Sequence, residues 1–410
     1  MEQWRQDRLI DILDTLIDYR GKTPNKVDCG IPLITAKIVK NGRIDTPTEF
    51  LPTEDYNGWM VRGFPQVGDV VLTTEAPLGE VAQLTDEKIA LAQRIVCLRG
   101  KEGVLDNTYL KYFFLSNIGQ NRLKARETGT TVTGIKQSEL KEILIDYPKI
   151  DTQKAIASVL SSLDSKIELN RRINDNLEQQ AQALFKAWFV DFEPFRGGKF
   201  VDSELGMIPE GWNIQSISSI FNFQEGPGIR NWQYVNNGTK FINIRCINND
   251  IINIQNANMI SDEEAQGKYA HFMLKENDIV ISCSGTLGRK ALVLKEYLPL
   301  CLNTSVIRFT PRINRQLGFL YGYLGSSLFL NKQIELASGS VQANFGPIHL
   351  KGMSIAIPDN NVLNQFSDIV NSIIQKKKNI ISESLRLTNL RDSILPKLMS
   401  GKIKIDKLNS

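Results

Sequence analysis

The stretch Asp151–Phe192 constrains this chain more than any other, because it contains neither Pro nor Gly and repeats its apolar residues at helical spacing. Ile156, Val159, Leu160, Leu163, Ile167, Ile173, Leu177, Leu184 and Trp188 form one stripe, the pattern of an amphipathic helix. At ~1.5 Å of rise per residue such a helix spans roughly 60 Å. A helix of that length is marginal in water unless a partner covers its stripe. The sequence supplies one. Leu363, Phe366, Ile369, Val370, Ile373, Ile380, Leu387 and Ile394 repeat the same spacing near the C-terminal end. The simplest expectation is two long helices paired as an antiparallel coiled coil, with a globular domain before each. Asn170 and Asn174 fall at or near the seam, where a buried Asn fixes register; a wet edge is the alternative. Lys376-Lys377-Lys378 reads as a solvated helix face, with phosphate or partner contact as the other possibility.

The two globular portions read as copies of each other. Ile31–Val39 and Asp69–Thr74 read as strands, with Ile95–Leu98 a third. Asn107–Lys124 reads as a helix opened by an Asn N-cap, and a Gly/Thr loop, Thr128–Gly134, follows it. A short helix, Gln137–Lys141, and a strand ending at Tyr147-Pro148 close the unit. Short strands and helices without a βαβ rhythm indicate an α+β fold. After Glu193-Pro-Phe-Arg-Gly-Gly198 breaks the long helix, the order recurs. Phe241–Ile247 matches Ile31–Val39, and Asn277-Asp278 matches Gly68-Asp69. Leu317–Leu336 matches Asn107–Lys124, Ala337–Gln342 matches Glu127–Val132, and Ile357-Pro358 matches Tyr147-Pro148. Asp278 lies 209 residues after Asp69, and Pro358 lies 210 after Pro148. Several landmarks in one order at nearly one offset indicate a tandem duplication. Its parts are domain 1 (1–150), helix 1 (151–195), domain 2 (196–358) and helix 2 (359–405).

Such a duplication implies a pseudo-two-fold molecule in which rigid helices separate two reading heads. Duplex DNA, itself pseudo-two-fold, is a natural ligand for that arrangement. A net charge of +4, from 49 Lys and Arg against 45 Asp and Glu, permits nucleic-acid binding without demanding it. Candidate DNA-reading residues lie in polar loops. In domain 1 they are Arg20, Lys22, Thr35, Lys37, Thr130, Thr131, Thr133 and Lys136. In domain 2 they are Arg230, Trp232, Asn243, Arg245, Ser284, Arg289, Ser340, Gln342 and Asn344. Arg and Lys pair with guanine, Asn and Gln with adenine, and Ser and Thr with bases or phosphates. Gly226-Pro-Gly-Ile-Arg-Asn-Trp-Gln233 stands out as a Gly-kinked loop that carries several such groups.

The residues of most enzyme chemistries are not recognisable here. There is no phosphate-cradling Walker loop. Methyl transfer would ask for a Gly-rich cofactor loop after a strand and, at adenine, an Asn/Asp-Pro-Pro-aromatic motif. Asp359-Asn360 follows Pro358 in the wrong order. Asp86-Glu87-Lys88 reads as a surface turn rather than a nuclease motif. His271 and His349 stand alone, and the cysteines at 29, 97, 246, 283 and 301 show no metal-ligand spacing. No catalytic residue, metal site or cofactor is therefore expected. The scattered cysteines suit a reduced cytoplasmic protein. MEQWRQDRLI lacks the apolar core of a signal peptide, and no run is long enough to span a membrane.

Several of these stretches are familiar. Tyr19-Arg-Gly-Lys-Thr-Pro24, Gly129-Thr-Thr-Val-Thr-Gly134 and Asn303-Thr304-Ser305 resemble landmarks of the DNA-specificity subunits of type I restriction-modification systems. Leu184-Phe-Lys-Ala-Trp-Phe-Val-Asp-Phe-Glu-Pro194, followed by Gly206-Met-Ile-Pro-Glu-Gly-Trp212, is similar to that family's central helix and its exit. The resemblance covers nearly the whole chain. It implies two α+β target-recognition domains, each reading half of an asymmetric bipartite DNA site, and helices that set the unread gap. It also implies two modification (methyltransferase) subunits docked on the helices, with restriction subunits for ATP-driven translocation and cleavage. Two other readings make different demands. A stand-alone DNA methyltransferase or nuclease with an unrecognised active site would act without partners. A structural coiled-coil adaptor would show no sequence-selective, salt-dependent DNA binding.

Overall fold

The computed structural model describes residues 4–19, 23–86, 88–129, 133–248, 250–337 and 344–403. The chain forms two compact units. One is Met1–Glu168 together with Leu385–Ser410, and the other is Leu169–Ser384.

In the first unit, strands Leu13–Asp18, Ile95–Gly100, Val70–Thr74 and Leu78–Gln83 lie side by side in that order, all antiparallel. Every residue of Val70–Thr74 is buried. Strand geometry turns alternate side chains to opposite faces, so this sheet must be covered twice, and two cores do so. Val70, Leu72, Val96 and Leu98 pack with the helix Asn107–Leu115 and with Ile156, Leu160, Leu395, Leu398 and Met399 of the long helices. Val71, Ile95 and Cys97 face a second core built on Leu33, Ile34, Leu51 and Leu91. There Ile31–Ile34 pairs antiparallel with Phe50–Leu51 and parallel with Ala90–Leu91. Arg5–Arg8, which the sequence reading left without a role, forms a strand against Leu144–Tyr147.

The second unit repeats the plan. Its four-stranded sheet runs Phe221–Glu225, Val306–Pro311, Ile279–Ser282, Lys290–Leu292. Tyr234–Ile242 lies between Asn258–Ile260 and Leu300–Leu302, and Asn213–Ser216 pairs with Ser354–Ile357. The matched Asp turns are the same device in both copies. Asp69 accepts from the backbone N–H of Gln66 at 2.9 Å, and Asp278 from that of Lys275 at 2.7 Å. Gly30 and Gly238 hold φ of +144° and +150°, and a Cβ on either would press on the carbonyl oxygen of Leu51 or Ile260 at 2.3 and 2.1 Å. Only glycine meets both demands.

Three local expectations need correction. The strand from Ile31 stops at Ile34, and the one from Phe241 stops at Ile242, because the chain turns there into the loops described below. Each long first-copy or second-copy helix is two helices, Asn107–Leu115 with Asn117–Lys124 and Leu317–Gly325 with Ser327–Ala337. Ser116 and Ser326 break them: each hydroxyl donates back to a carbonyl three residues earlier and accepts the N–H three residues ahead, which ends one helix and caps the next. The N-cap of the first is Asp106, not Asn107, whose side chain accepts from the Gly100 N–H instead.

The long helices are Ile150–Phe189 and Asn360–Met399. In the second unit Asn170 donates to Glu383 and Ser384, while Phe185 and Phe189 meet Phe366 edge to face. Residue numbers rise along one helix as they fall along the other, so the pair is antiparallel. In the first unit Arg391 pairs with Asp164 at 2.8 Å. The buried seam differs in detail from the apolar stripe. Ile173 and Ile369 are exposed, while Ala181, Phe185, Phe189, Ile374 and Ile381 are buried. Asn170 is 1% exposed and sits in the seam. Lys377 does not lie on a solvated face: it is buried beside Glu178 and Asp250. Lys378 bonds to Glu276.

Candidate nucleic-acid interface

In each unit the strand-end loops are tied together at one end of the sheet. In the first, the Ala92 N–H donates to the Ile34 carbonyl and the Thr74 N–H to the Arg94 carbonyl, both at 2.9 Å. The Ile135 N–H returns to the Thr74 carbonyl at 2.9 Å, and Gly134 bridges Glu75. Thr23 bonds to the Gln93 side chain at 3.1 Å. The segments around residues 23, 35–37, 74–75, 93–94 and 134 therefore share one surface. In the second unit the Asn303 N–H donates to the Ile242 carbonyl at 3.0 Å and the Cys283 N–H to the Ser305 carbonyl at 3.0 Å. The Phe345 N–H returns to the Cys283 carbonyl at 2.7 Å, and Ser284 bridges Asn344. Gly226 closes the group: a Cβ there would meet the Asn303 carbonyl at 2.5 Å.

The candidate residues divide by what their side chains already do. Arg20, Lys22, Thr130, Thr131, Ser340 and Gln342 lie outside the described residues. Thr35 is 8% exposed, too buried to reach a base as it stands. Arg289 donates to the carbonyls of Ile244 and Ile247 at 3.1 and 3.2 Å, and Asn243 caps the turn Ile244–Cys246. These two hold the loop that presents Arg245. Ser284 is half-buried. Lys37, Thr133, Lys136, Arg230, Trp232, Arg245 and Asn344 are exposed. Exposed Arg, Lys and Asn side chains have the hydrogen-bonding chemistry that phosphates and base edges accept or donate to.

The sequence reading missed Gln93 and Arg94. Arg94 stands at φ +72° and pairs with Glu75 at 3.8 Å. It lies 209 residues before Asn303, so the internal offset applied to the Asn303-Thr304-Ser305 landmark points to it. The exposed His271 lies tilted against the Phe272 ring, and His349 stacks on Phe345 and accepts from the Gly346 N–H. Among the described residues no group of three or more His, Cys, Asp or Glu is placed to hold a metal, and no helix is long and apolar enough to cross a membrane.

Comparison with known proteins agrees with the duplication. The model of the family described as "Type I restriction modification DNA specificity domain" matches twice, over residues 1–179 and 209–385. A protein of Methanocaldococcus jannaschii named type I restriction enzyme MjaIX specificity subunit is 30% identical over 354 residues, covering 85% of this chain and 80% of its own. The HindI specificity subunit of Haemophilus influenzae is 25% identical over 342 residues, 69% of this chain and 74% of its own. The crystal structure of a type I restriction-modification S subunit from M. genitalium shares the fold, with a TM-score of 0.53 and 20% identity over 97% of this chain and 96% of that one.

Proposed function

The chain belongs to the type I restriction-modification DNA specificity family, and from that membership we propose that it supplies sequence recognition to such a complex and leaves catalysis to other subunits. The observation that most supports this is the recurrence of one loop cluster at one sheet end in both units, with Thr74–Ile135 and Cys283–Phe345 as matching ties. Residues 1–150 and 196–358 are the two recognition domains. Each reads one half of a bipartite, asymmetric site in double-stranded DNA. Lys37, Thr133, Lys136, Arg230, Trp232, Arg245 and Asn344 are the described side chains best exposed to meet that DNA. The helical segments 151–195 and 359–405 set the unread gap and dock two modification subunits, with restriction subunits joining that assembly in the cytoplasm.

Mapping methylated adenines in a genome that carries this chain with its modification subunit tests the reading. Exchanging residues 196–358 for those of a relative should change one half of the motif and leave the other. Adding one helical turn to each long helix should change the gap and neither half. The reading is overturned if the purified chain methylates or cleaves DNA alone, or if the exchange alters both halves.

A further inference from the structure

Trp232 is 80% exposed, an unusual state for the largest apolar side chain. The backbone beneath it is tightly held. Trp232 occupies the middle of the single turn Asn231–Gln233. The next side chain, Gln233, points inward and is 8% exposed. Its amide donates to Glu264 at 2.8 Å and to the Tyr269 hydroxyl at 3.1 Å, and its carbonyl oxygen accepts the Arg230 N–H at 2.9 Å. Tyr269 in turn belongs to a core with Phe241, Ile260 and Cys301. At the other end of the loop, Gly226 sits against Asn303 too closely for any side chain. A buried amide thus anchors a turn whose sole large apolar group faces water. Among the described residues the indole makes no ring contact or hydrogen bond, and the exposed Arg230 lies two residues away.

We propose that Trp232 is a wedge that inserts at a base step of the DNA half-site read by the second domain, with Gln233 as its positioning residue. The inference depends on the DNA-reading function above and adds its mode. Aromatic groups on a fixed backbone lose little entropy when they stack. Apolar wedges unstack a step and bend the duplex. The price of unstacking varies with sequence, least at pyrimidine–purine steps, so the wedge reads deformability rather than hydrogen-bond edges.

The test uses the full chain with its modification subunits and a duplex carrying the motif found by methylation mapping. 2-Aminopurine is scanned through the second domain's half-site, leaving out the methylated adenine. Wild type should brighten the probe at one step. Trp232→Ala should abolish that signal and weaken binding about tenfold or more. The slope of log K against log salt should stay unchanged, because an indole displaces no counterion. Trp232→Phe should recover part of both signal and affinity. Gln233→Leu should dim the signal while leaving Trp232 in place. Selective binding by wild type with no brightened step, or an unaltered signal in Trp232→Ala, overturns the wedge alone. Absence of selective binding by wild type overturns the DNA-reading function itself.

Discussion

Lys377 of the second long helix is buried and donates to the half-buried Glu178 of the first at 2.8 Å. The same ammonium donates to Asp250 at 2.9 Å, and Lys290 reaches Glu178 at 2.8 Å. The Tyr321 hydroxyl also donates to Glu178, and the Lys290 ammonium sits 3.6 Å above the Tyr321 ring. Two lysines thus balance two carboxylates at the point where the second domain meets the helix pair. Removing one partner of a buried pair leaves an uncompensated charge and costs about 3–5 kcal/mol. Lys377→Ala should therefore lower stability by roughly that amount in thermal or denaturant unfolding. The double variant Glu178→Gln with Lys377→Met should recover much of the loss. Additive losses in the double variant would show that the two residues do not act as a pair.

The same cluster makes a prediction about acid. Burial pushes the Glu178 carboxyl up, but the Lys290 and Lys377 ammoniums outweigh it and hold the group well below the usual carboxylate range. The unfolded chain then binds the proton more readily than the folded one, so stability rises with pH through this window. Glu178 contributes in full above about pH 4.5, the ordinary glutamate range, and its share fades as pH falls toward the folded value. Asp250 is shifted upward, by burial first and also by the Glu178 charge beside it, so comparison with Glu178→Gln reads the two carboxylates together. The stability gap between wild type and Glu178→Gln should narrow on going from about pH 5 to pH 2. A gap that widens would reverse the assigned sign.

The duplicated Asp turns are not equal. Arg99 grips Asp69 with two bonds of 2.7 Å, one to each carboxylate oxygen. Arg308 stands 3.9 Å from Asp278 and spends its bonds on the Met273 carbonyl and Gln224. A two-point guanidinium–carboxylate pair is stronger than a single distant one. Arg99→Ala should cost about 3–5 kcal/mol, and Arg308→Ala less by about 1 kcal/mol or more. Equal losses in calorimetry would mean that pair geometry does not decide the outcome.

The repeat, the α+β class and the antiparallel rods were legible because each rests on spacing, which a sequence displays directly. Ser116 and Ser326 were not read as breaks, since Ser is unremarkable inside a helix until its hydroxyl turns back on the chain. Lys377 was misread for a related reason. It falls on the apolar stripe at the interval set by Val370, Ile373 and Ile381, but its charge argued for water. Its partners Glu178 and Asp250 lie 199 and 127 residues away, beyond any local pattern. The loop candidates show the same limit. Asn243 and Arg289 have the chemistry of base readers, yet one caps a turn and the other holds carbonyls.

The cysteines offer a check on both cores at once. Cys29 is exposed, and Cys97, Cys246, Cys283 and Cys301 are buried. Burial raises all four of the latter thiols, Cys283 to about 12 and Cys301 to about 11. Beside Cys97, the Asp69 carboxylate adds to the effect. The thiolate is the form that reacts, so at pH 8 these four sulfurs are both inaccessible and protonated. A thiol-disulfide reagent should titrate one group rapidly in the native chain and all 5 after denaturation. Cys29→Ser should remove the fast phase. Cys97 lies in the first unit and Cys283 in the second, so peptide analysis of partial denaturation shows which core opens first. Rapid labelling of Cys97 or Cys283 in the native chain would contradict the packing of that unit's sheet.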